Sequence, residues 1–118
     1  PRRPRTPEGQ LVADALAYLE LRRVFALRIN SGAMAGTYKG KRRFVRFNSA
    51  PGCSDIIGIL PGGRFFAAEA KAGRGKLTSD QMLFLARVEQ SEGVAVVFRS
   101  VEELERAIEE AREEELNR

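Results

Sequence analysis

The sequence contains no histidine, and this absence removes many of the catalytic and metal-binding arrangements that proteins use. Ser-His-Asp triads, Cys-His sites, histidine-ligated metal nucleases and Cys₂His₂ zinc fingers all require an imidazole. The single cysteine, Cys53, cannot form an intrachain disulfide, and one cysteine without histidine cannot build a structural zinc site. Carboxylates, lysine side chains and backbone groups are therefore the main groups left for catalysis.

Long apolar runs are also missing, and none approaches the roughly 20 residues that a membrane-spanning helix needs. We therefore expect no membrane partner. The chain shows no repeat, low-complexity block or secretory signal, and its lone cysteine fits a reducing compartment, so we expect a cytoplasmic protein of a bacterial, archaeal or virus-infected cell. With 118 residues, of which 43% are apolar, the chain suffices for one hydrophobic core. We expect a flexible basic segment over residues 1–6 and a single domain over residues 7–118.

Charge is unevenly distributed along the chain, whose net charge is +4. Residues 1–100 contain 17 basic and 8 acidic residues, whereas residues 101–118 contain 3 basic and 8 acidic residues. A basic body indicates a polyanionic partner, although a generic arginine-rich surface would have the same composition. The acidic end is explained most simply as a solvated helix face.

Two apolar segments, residues 55–60 and 64–71, flank a Pro-Gly-Gly sequence that is typical of a turn. If residues 61–63 form a three-residue hairpin loop, the register places Asp55 directly opposite Glu69. Like charges at such positions destabilise a sheet. A divalent cation that prefers oxygen ligands, Mg²⁺ or Mn²⁺, would offset their repulsion.

Lys71 completes a set of groups suited to phosphodiester hydrolysis. It lies two residues beyond Glu69, so strand alternation returns it to the face of the two carboxylates. A bound metal would polarise a phosphoryl oxygen and activate a water, and the ammonium would act on the nucleophile or on transition-state charge. Without metal, we expect Lys71 to supply the counter-charge that keeps both carboxylates ionised.

An ordinary hairpin, whose terminal charges fray into solvent, could contain the same short pattern of acids and lysine. However, both faces of the two strands carry large apolar residues, and the face of the acids includes Ile57, Ile59 and Phe65. We therefore expect a central hairpin that is covered on both faces, which would place the charges in a cleft.

A helix is predicted over residues 7–22, with Thr6 as its N-cap and Pro7 at its first position. Its apolar stripe consists of Leu11, Val12, Ala15 and Leu19. Glu8 lies at the centre of this stripe, so it is either an acid favoured by the helix dipole or a site residue that points inward. Glu20, near the rim of the stripe, is the alternative site residue.

The next segments indicate a strand over residues 24–29 and then Asn30 and Ser31, which either contact phosphate or form a turn. Residues 38–47 interleave basic and aromatic residues, and we call this segment the basic ribbon. Such a pattern suits contacts with nucleic acid, or else a solvated edge strand. The ribbon residues that would contact nucleic acid are Lys39, Lys41, Arg42, Arg43 and Arg46.

After the hairpin, residues 72–76 form a short glycine-rich loop in which Arg74 and Lys76 could hold phosphate. A helix with a capping box is predicted over residues 78–92. Gln81 belongs to that box and also points towards the core side, so it is either a cap or a site residue. A buried strand over residues 94–98 and a last helix, opened by a second capping box at residues 100–103, follow.

These segments together resemble the VRR-NUC (virus-type replication-repair nuclease) domain of the PD-(D/E)xK nuclease superfamily. The resemblance rests on Ser54-Asp55, the Pro-Gly-Gly turn, Glu69-Ala70-Lys71 and the following GRGKLTSDQ, and it covers about residues 6–111. Ser54 stands where the name of the superfamily has proline, but the carboxylate of the next residue is kept.

The resemblance implies an α/β, restriction-endonuclease-like fold: a mixed sheet flanked by helices with an αβββαβ core. It implies an Mg²⁺- or Mn²⁺-dependent DNA endonuclease acting on branched, flapped or junction DNA, with homodimers as in stand-alone viral members. The implied metal ligands are Asp55, Glu69, the Ala70 carbonyl and Glu8, with Gln81 near the catalytic Lys71. A non-catalytic nucleic-acid-binding module and a structural or regulatory protein remain the alternatives.

Overall fold

The structure is a computed structural model that describes residues 6–29, 33–38, 41–46 and 50–117, with the strands at 33–38 and 41–46 described by their backbone alone. Its elements are α1 (Pro7–Leu21), β1 (Phe25–Arg28), β2 (Ala33–Tyr38), β3 (Lys41–Arg46), β4 (Ile56–Ile59), β5 (Phe65–Ala70), α2 (Ser79–Gln90), β6 (Val94–Phe98) and α3 (Val101–Leu116).

Four of the strands form one mixed sheet in the order β1-β4-β5-β6. The strand β4 is antiparallel to both of its neighbours, β1 and β5, and β6 runs parallel to β5. The strands β2 and β3 form a separate antiparallel pair, which contains most of the basic ribbon. Without that pair, the chain order is α1-β1-β4-β5-α2-β6, so the predicted αβββαβ arrangement and the α/β class are confirmed. The strand β2 is not among the elements that the sequence predicts.

The central hairpin has the predicted register. Ile56 pairs with Ala68 and Ile59 pairs with Phe65, which leaves residues 61–63 as the three-residue loop. The loop is closed by hydrogen bonds from Leu60 N to Arg64 O at 2.8 Å and from Gly63 N to Leu60 O at 2.9 Å. Its two glycines have φ angles of 96° and 90°, a region that other residues rarely adopt.

The main core lies between the sheet and the helices α1 and α3. Its largest fully buried members are Phe66, Phe98, Leu19, Ile56, Leu104 and Ile108. The predicted inward faces of both helices contribute to it: Val12 and Ala15 from α1, and Ala111 from α3, are buried. The strands β4 and β5 therefore bury one complete face.

The opposite face of the sheet, which carries the acids, is only partly covered. The helix α2 packs Leu85 and Val88 against Ala67. Near the hairpin turn, Ile59 and Phe65 remain 48% and 39% exposed. The prediction of a hairpin covered on both faces is therefore wrong at this end, because among the described elements one helix of 12 residues packs on this face and two helices pack on the other.

The helix starts follow their predicted caps, with one difference. Thr6 Oγ1 accepts a hydrogen bond from Gly9 N at 3.0 Å. At α3, Ser100 Oγ accepts from Glu103 N at 3.2 Å, but the Glu103 carboxylate accepts from Arg99 N and not from Ser100 N. The second predicted capping box is therefore only half formed. The hydrogen bond that the Glu103 side chain should accept from the backbone of the N-cap, Ser100, comes instead from the residue before it, Arg99.

Candidate metal centre

Three carboxylates from separate parts of the chain meet beside the open end of the central hairpin. Glu8 lies in the first turn of α1, Asp55 directly precedes β4, and Glu69 is the penultimate residue of β5. One carboxylate oxygen of each lies within 4.8 Å of the others, close enough for the three side chains to hold a metal ion. Glu20, the alternative in α1, is exposed and is not part of this cluster.

A backbone hydrogen bond fixes the position of Asp55 relative to β5. Ala70 N donates to Asp55 Oδ2 at 2.9 Å, and Ile29 N donates to the Asp55 carbonyl oxygen at 2.8 Å. In a β-strand, the N–H and C=O groups of one residue point towards the same neighbouring strand. Because Ala70 N points towards Asp55, the Ala70 carbonyl also faces that side of β5. This orientation agrees with the predicted role of that carbonyl as a further ligand.

Gln81 connects the cluster of acids to the start of α2. Its Nε2 donates to Glu69 Oε1 at 3.0 Å, while its Oε1 accepts from Thr78 N at 2.9 Å. Gln81 N donates to Thr78 Oγ1 at 3.1 Å, which completes the predicted capping box. The predicted cap is therefore confirmed, and the same side-chain amide also contacts an acid of the cluster. A functional role for Gln81 stays a prediction.

The second carboxylate oxygen of Glu69 has no such partner in the part of the chain that the structure describes. Glu69 is 2% exposed, and in the described part of the chain its Oε2 is buried without a hydrogen-bond partner. Buried polar atoms are almost always paired, and a cation would satisfy this one. Carboxylate oxygens are the ligands that Mg²⁺ and Mn²⁺ prefer. The donor set therefore fits a hard divalent cation.

The electrostatics of the cluster differ from expectation. Burial and the neighbouring Asp55 carboxylate raise the pKa of Glu69 from 4.5 to about 8, although Lys71 lowers it. The prediction that Lys71 keeps both carboxylates ionised without metal is therefore wrong, because removal from water disfavours the Glu69 anion more than the ammonium favours it. The raised pKa favours the protonated form of Glu69 at neutral pH, so a cation bound at this cluster would compete with a proton.

Lys71 directly follows β5 and lies close enough to Glu69 to lower the pKa of that carboxyl. It is 8% exposed, and its N–H donates to Phe98 O at 3.0 Å, which extends the pairing of β5 with β6 by one residue. No ion pair within 4.0 Å joins it to an acid among the described residues. Its ammonium is therefore available to a further anionic group near the cluster.

Cys53 is buried close to the acids of the cluster. Burial raises the pKa of its thiol, and the carboxylates of Glu69 and Asp55 raise it further. Because the thiolate is the reactive form, this shift disfavours a nucleophilic role for Cys53. In the same segment, the backbone of Gly52 packs closely against the first turn of α2. The φ angle of Gly52 is 72°, and a Cβ at this position would lie 2.2 Å from the carbonyl carbon of Asp80. Glycine is thus required for this close approach.

A cleft of about 500 Å³ opens beside Glu8 and Asp55. It is also lined by Arg28, the last residue of β1, whose side chain is exposed. Sequence reasoning did not single out Arg28; the available signal was a base at the end of an apolar strand. A guanidinium at the rim of a cleft that contains carboxylates offers a contact for a phosphate group.

The predicted nucleic-acid contacts are only partly described. Arg74 and Lys76 are exposed in the glycine-rich loop, close to Lys71 in the chain. The ribbon residues on β3 are Lys41, Arg42, Arg43 and Arg46. Asn30, Ser31 and Lys39 lie outside the described residues. The nucleic-acid contacts of all these residues stay predictions.

Comparison with family models and with curated proteins found no match for this chain. The resemblance to the VRR-NUC domain is thus carried by the quoted motifs alone and stays a prediction. Among the helices in the described ranges, none combines the length and the apolar composition needed to cross a membrane.

Proposed function

We propose that this protein is a divalent-metal-dependent DNA endonuclease that hydrolyses phosphodiester bonds. The observation that carries the proposal is the cluster of Glu8, Asp55 and Glu69, in which one buried carboxylate oxygen has no hydrogen-bond partner among the described residues. Lys71 lies beside this cluster without an ion pair of its own among the described residues. Acids that can hold a metal, together with a nearby available ammonium, suit the cleavage of a phosphate ester.

The residues divide the work according to their positions. Asp55 and Glu69 would hold the ion together with the Ala70 carbonyl, and Glu8 would join through a second ion or a water. When bound, Mg²⁺ or Mn²⁺ supplies Lewis acidity and a water of lowered pKa. Lys71 would stabilise the attacking water or the negative charge that develops on the phosphoryl oxygens. Gln81 would hold the Glu69 carboxylate in the orientation that leaves one oxygen free for the ion.

The substrate class follows from charge. Residues 1–100 carry 17 basic and 8 acidic residues, and a surface of this sign attracts a phosphate backbone. Exposed Arg28, Arg74 and Lys76 lie in the cleft or in the loop next to the acids. The preference for branched, flapped or junction DNA and the homodimeric state come from the resemblance and are proposed on that ground.

A cleavage panel tests the proposal. Linear, nicked, flapped and four-way DNA are incubated with the protein in Mg²⁺, in Mn²⁺ and in EDTA, and the products are resolved by strand. We expect metal-dependent cleavage that EDTA abolishes, with branched substrates cleaved fastest. Sedimentation of the protein in the same buffers tests the proposed homodimer.

Matched variants connect the activity to the cluster. Glu8→Gln removes a carboxylate of the cluster from α1, whereas Glu20→Gln removes an exposed carboxylate from the same helix. We expect the first substitution to reduce cleavage strongly and the second to leave it unchanged. Equal activity of the two variants would exclude Glu8 from the site. Binding of DNA without cleavage under any metal condition would instead favour the non-catalytic binding module.

A further inference from the structure

Arg99 makes two hydrogen bonds that lie outside the metal centre and that sequence reasoning did not anticipate. It directly follows β6, and its Nη1 donates to Gly73 O at 2.8 Å while its Nη2 donates to Gly75 O at 2.7 Å. The residues it holds lie 24 and 26 positions away in the chain. A single guanidinium therefore bridges two carbonyls of the glycine-rich loop.

The loop that Arg99 holds joins two groups of the candidate centre. It begins after Lys71, whose N–H is bonded to Phe98 O, and it leads to the cap of α2, where Gln81 contacts Glu69. Inside the loop, Gly75 N donates to Ala72 O at 3.0 Å. Both ends of the loop are therefore anchored at the centre, and Arg99 fixes its middle.

Arg99 is itself anchored on its backbone side. Its N–H donates to Glu103 Oε1 at 2.9 Å, in the first turn of α3. The planar fork of a guanidinium can serve two acceptors at once, whereas a lysine ammonium acts as a single point of charge on a flexible stem. Arginine is thus required if both carbonyls are to be held in one arrangement.

We propose that Arg99 is a positioning residue for substrate binding, which holds the glycine-rich loop so that the exposed Arg74 and Lys76 are presented to the phosphates of a nucleic-acid strand at the metal centre. The inference rests on the proposed function for its substrate. A glycine-rich loop that became ordered only on binding would lose backbone entropy at that step and would bind more weakly. Arg99 removes that cost in advance, without touching the substrate.

Two pairs of variants separate this role from direct contact with phosphate. Arg99→Lys keeps the positive charge but cannot bridge both carbonyls, and Arg99→Gln also removes the charge. Arg106→Lys and Arg106→Gln are the matched controls. Arg106 is exposed on α3, and no hydrogen bond among the described residues joins it to the glycine-rich loop. Each variant is also made in a background that carries Arg74→Ala and Lys76→Ala.

The dissociation constant for four-way and duplex DNA is measured in Ca²⁺, and single-turnover cleavage is measured in Mg²⁺ with saturating protein. We expect Arg99→Lys to weaken binding by about tenfold, the size of one or two lost charge-assisted hydrogen bonds. The rate at saturation should stay within about twofold of wild type, since the reacting groups are intact. In the double-alanine background, Arg99→Lys should change binding by less than about twofold, because the residues it positions are absent.

Equal losses in both backgrounds would overturn the inference, since Arg99 would then act independently of Arg74 and Lys76. Wild-type affinity of Arg99→Lys would overturn it as well. These binding measurements need no cleavage, so a wild-type protein that binds DNA but never cleaves it would refute the proposed nuclease and leave the test of Arg99 intact. If the protein cleaves DNA but the binding losses from Arg99→Lys and from the double-alanine substitution are additive, only the proposed role of Arg99 is refuted.

Amide hydrogen exchange of the free protein checks the loop directly, without metal or DNA. Gly75 N, which is bonded to Ala72 O, should exchange at least about fivefold faster in Arg99→Lys than in wild type or Arg106→Lys. The amides of β5 and β6 should keep their protection, which shows that the variant is folded. Unchanged exchange at Gly75 would overturn the inference whatever the result of the DNA measurements.

Discussion

The side-chain amide of Gln81 donates a hydrogen bond of 3.0 Å to the Glu69 carboxylate while it also accepts one from Thr78 N. The start of α2 and the most buried acid of the candidate metal centre therefore share a contact with one side chain. Any change that loosens the cap also frees Glu69, so helix stability and metal binding are expected to be linked.

Substitution of Gln81 tests this link. Gln81→Ala should lower the free energy of unfolding by about 1 kcal/mol, since it removes a cap interaction and leaves Glu69 Oε1 unpaired. It should also weaken Mn²⁺ binding, because the carboxylate loses its orienting donor. Urea unfolding and calorimetric Mn²⁺ titration measure the two effects, with Gln90→Ala at the exposed end of α2 as the control. Lower stability with unchanged Mn²⁺ affinity would reduce Gln81 to a cap.

The raised pKa of Glu69 predicts how stability depends on pH in the metal-free protein. The folded state holds a proton on Glu69 up to about pH 8, whereas the unfolded chain releases it near its ordinary value of 4.5. The folded state binds more protons in this window, so the free energy of unfolding should fall as pH rises from about 4.5 to about 8 and be level above it.

The Glu69→Gln variant isolates this contribution, because glutamine cannot titrate. As pH rises across that window, the variant should become more stable relative to wild type. The gain in free energy of unfolding should be on the order of a few kcal/mol, because the Glu69 side chain is almost completely buried. Urea unfolding in EDTA at several pH values measures it. A difference that does not change with pH would show that Glu69 ionises normally in the folded protein.

The basic ribbon gives a prediction about salt. Replacing Lys41, Arg42 and Arg43 together by glutamine should weaken DNA binding for all sequences, because contacts with phosphate carry no sequence information. The slope of log K against log salt should flatten by about 0.9 for each duplex phosphate contact that is lost. An unchanged slope would mean that these bases do not contact DNA, as expected of a solvated edge strand.

The sequence was sufficient to predict the central hairpin because two local features determine it. The three-residue turn sets which residues pair, and alternation along the strands then places Asp55 beside Glu69 without information from the rest of the fold. The helix starts at Thr6 and Thr78 were predictable for a similar reason, since a cap involves residues only three positions apart.

Features that depend on the packing of distant elements could not be predicted in the same way. The sequence left Glu8 ambiguous because only the docking of α1 against the sheet decides whether its carboxylate meets the other acids. The pKa of Glu69 depends on how far the surrounding elements exclude water, which no motif encodes. Arg99 was missed because its partners lie in another loop, 24 and 26 residues away.

The role of Lys71 can be separated from simple phosphate binding. Lys71→Ala should reduce the single-turnover cleavage rate by on the order of 10²–10³, comparable to the loss of one electrostatic donor in other enzymes. DNA affinity in Ca²⁺ should change far less, because one ammonium is a small part of a basic surface. Lys71→Arg should not restore full activity, since a guanidinium is bulkier and its fork cannot replace a point charge. Equal losses of rate and affinity would make Lys71 a phosphate contact only.

Asp55 offers the most direct test, because it belongs to the cluster of acids proposed to hold the metal and its substitution by asparagine keeps the size of the side chain. Single-turnover cleavage of four-way DNA in Mg²⁺ is compared between wild type and Asp55→Asn, with EDTA and Glu20→Gln as controls. We predict that Asp55→Asn abolishes cleavage while DNA binding in Ca²⁺ is largely kept, and that Glu20→Gln behaves as wild type. Cleavage by Asp55→Asn at the wild-type rate, or wild-type cleavage that survives EDTA, would contradict a metal-dependent nuclease at this centre.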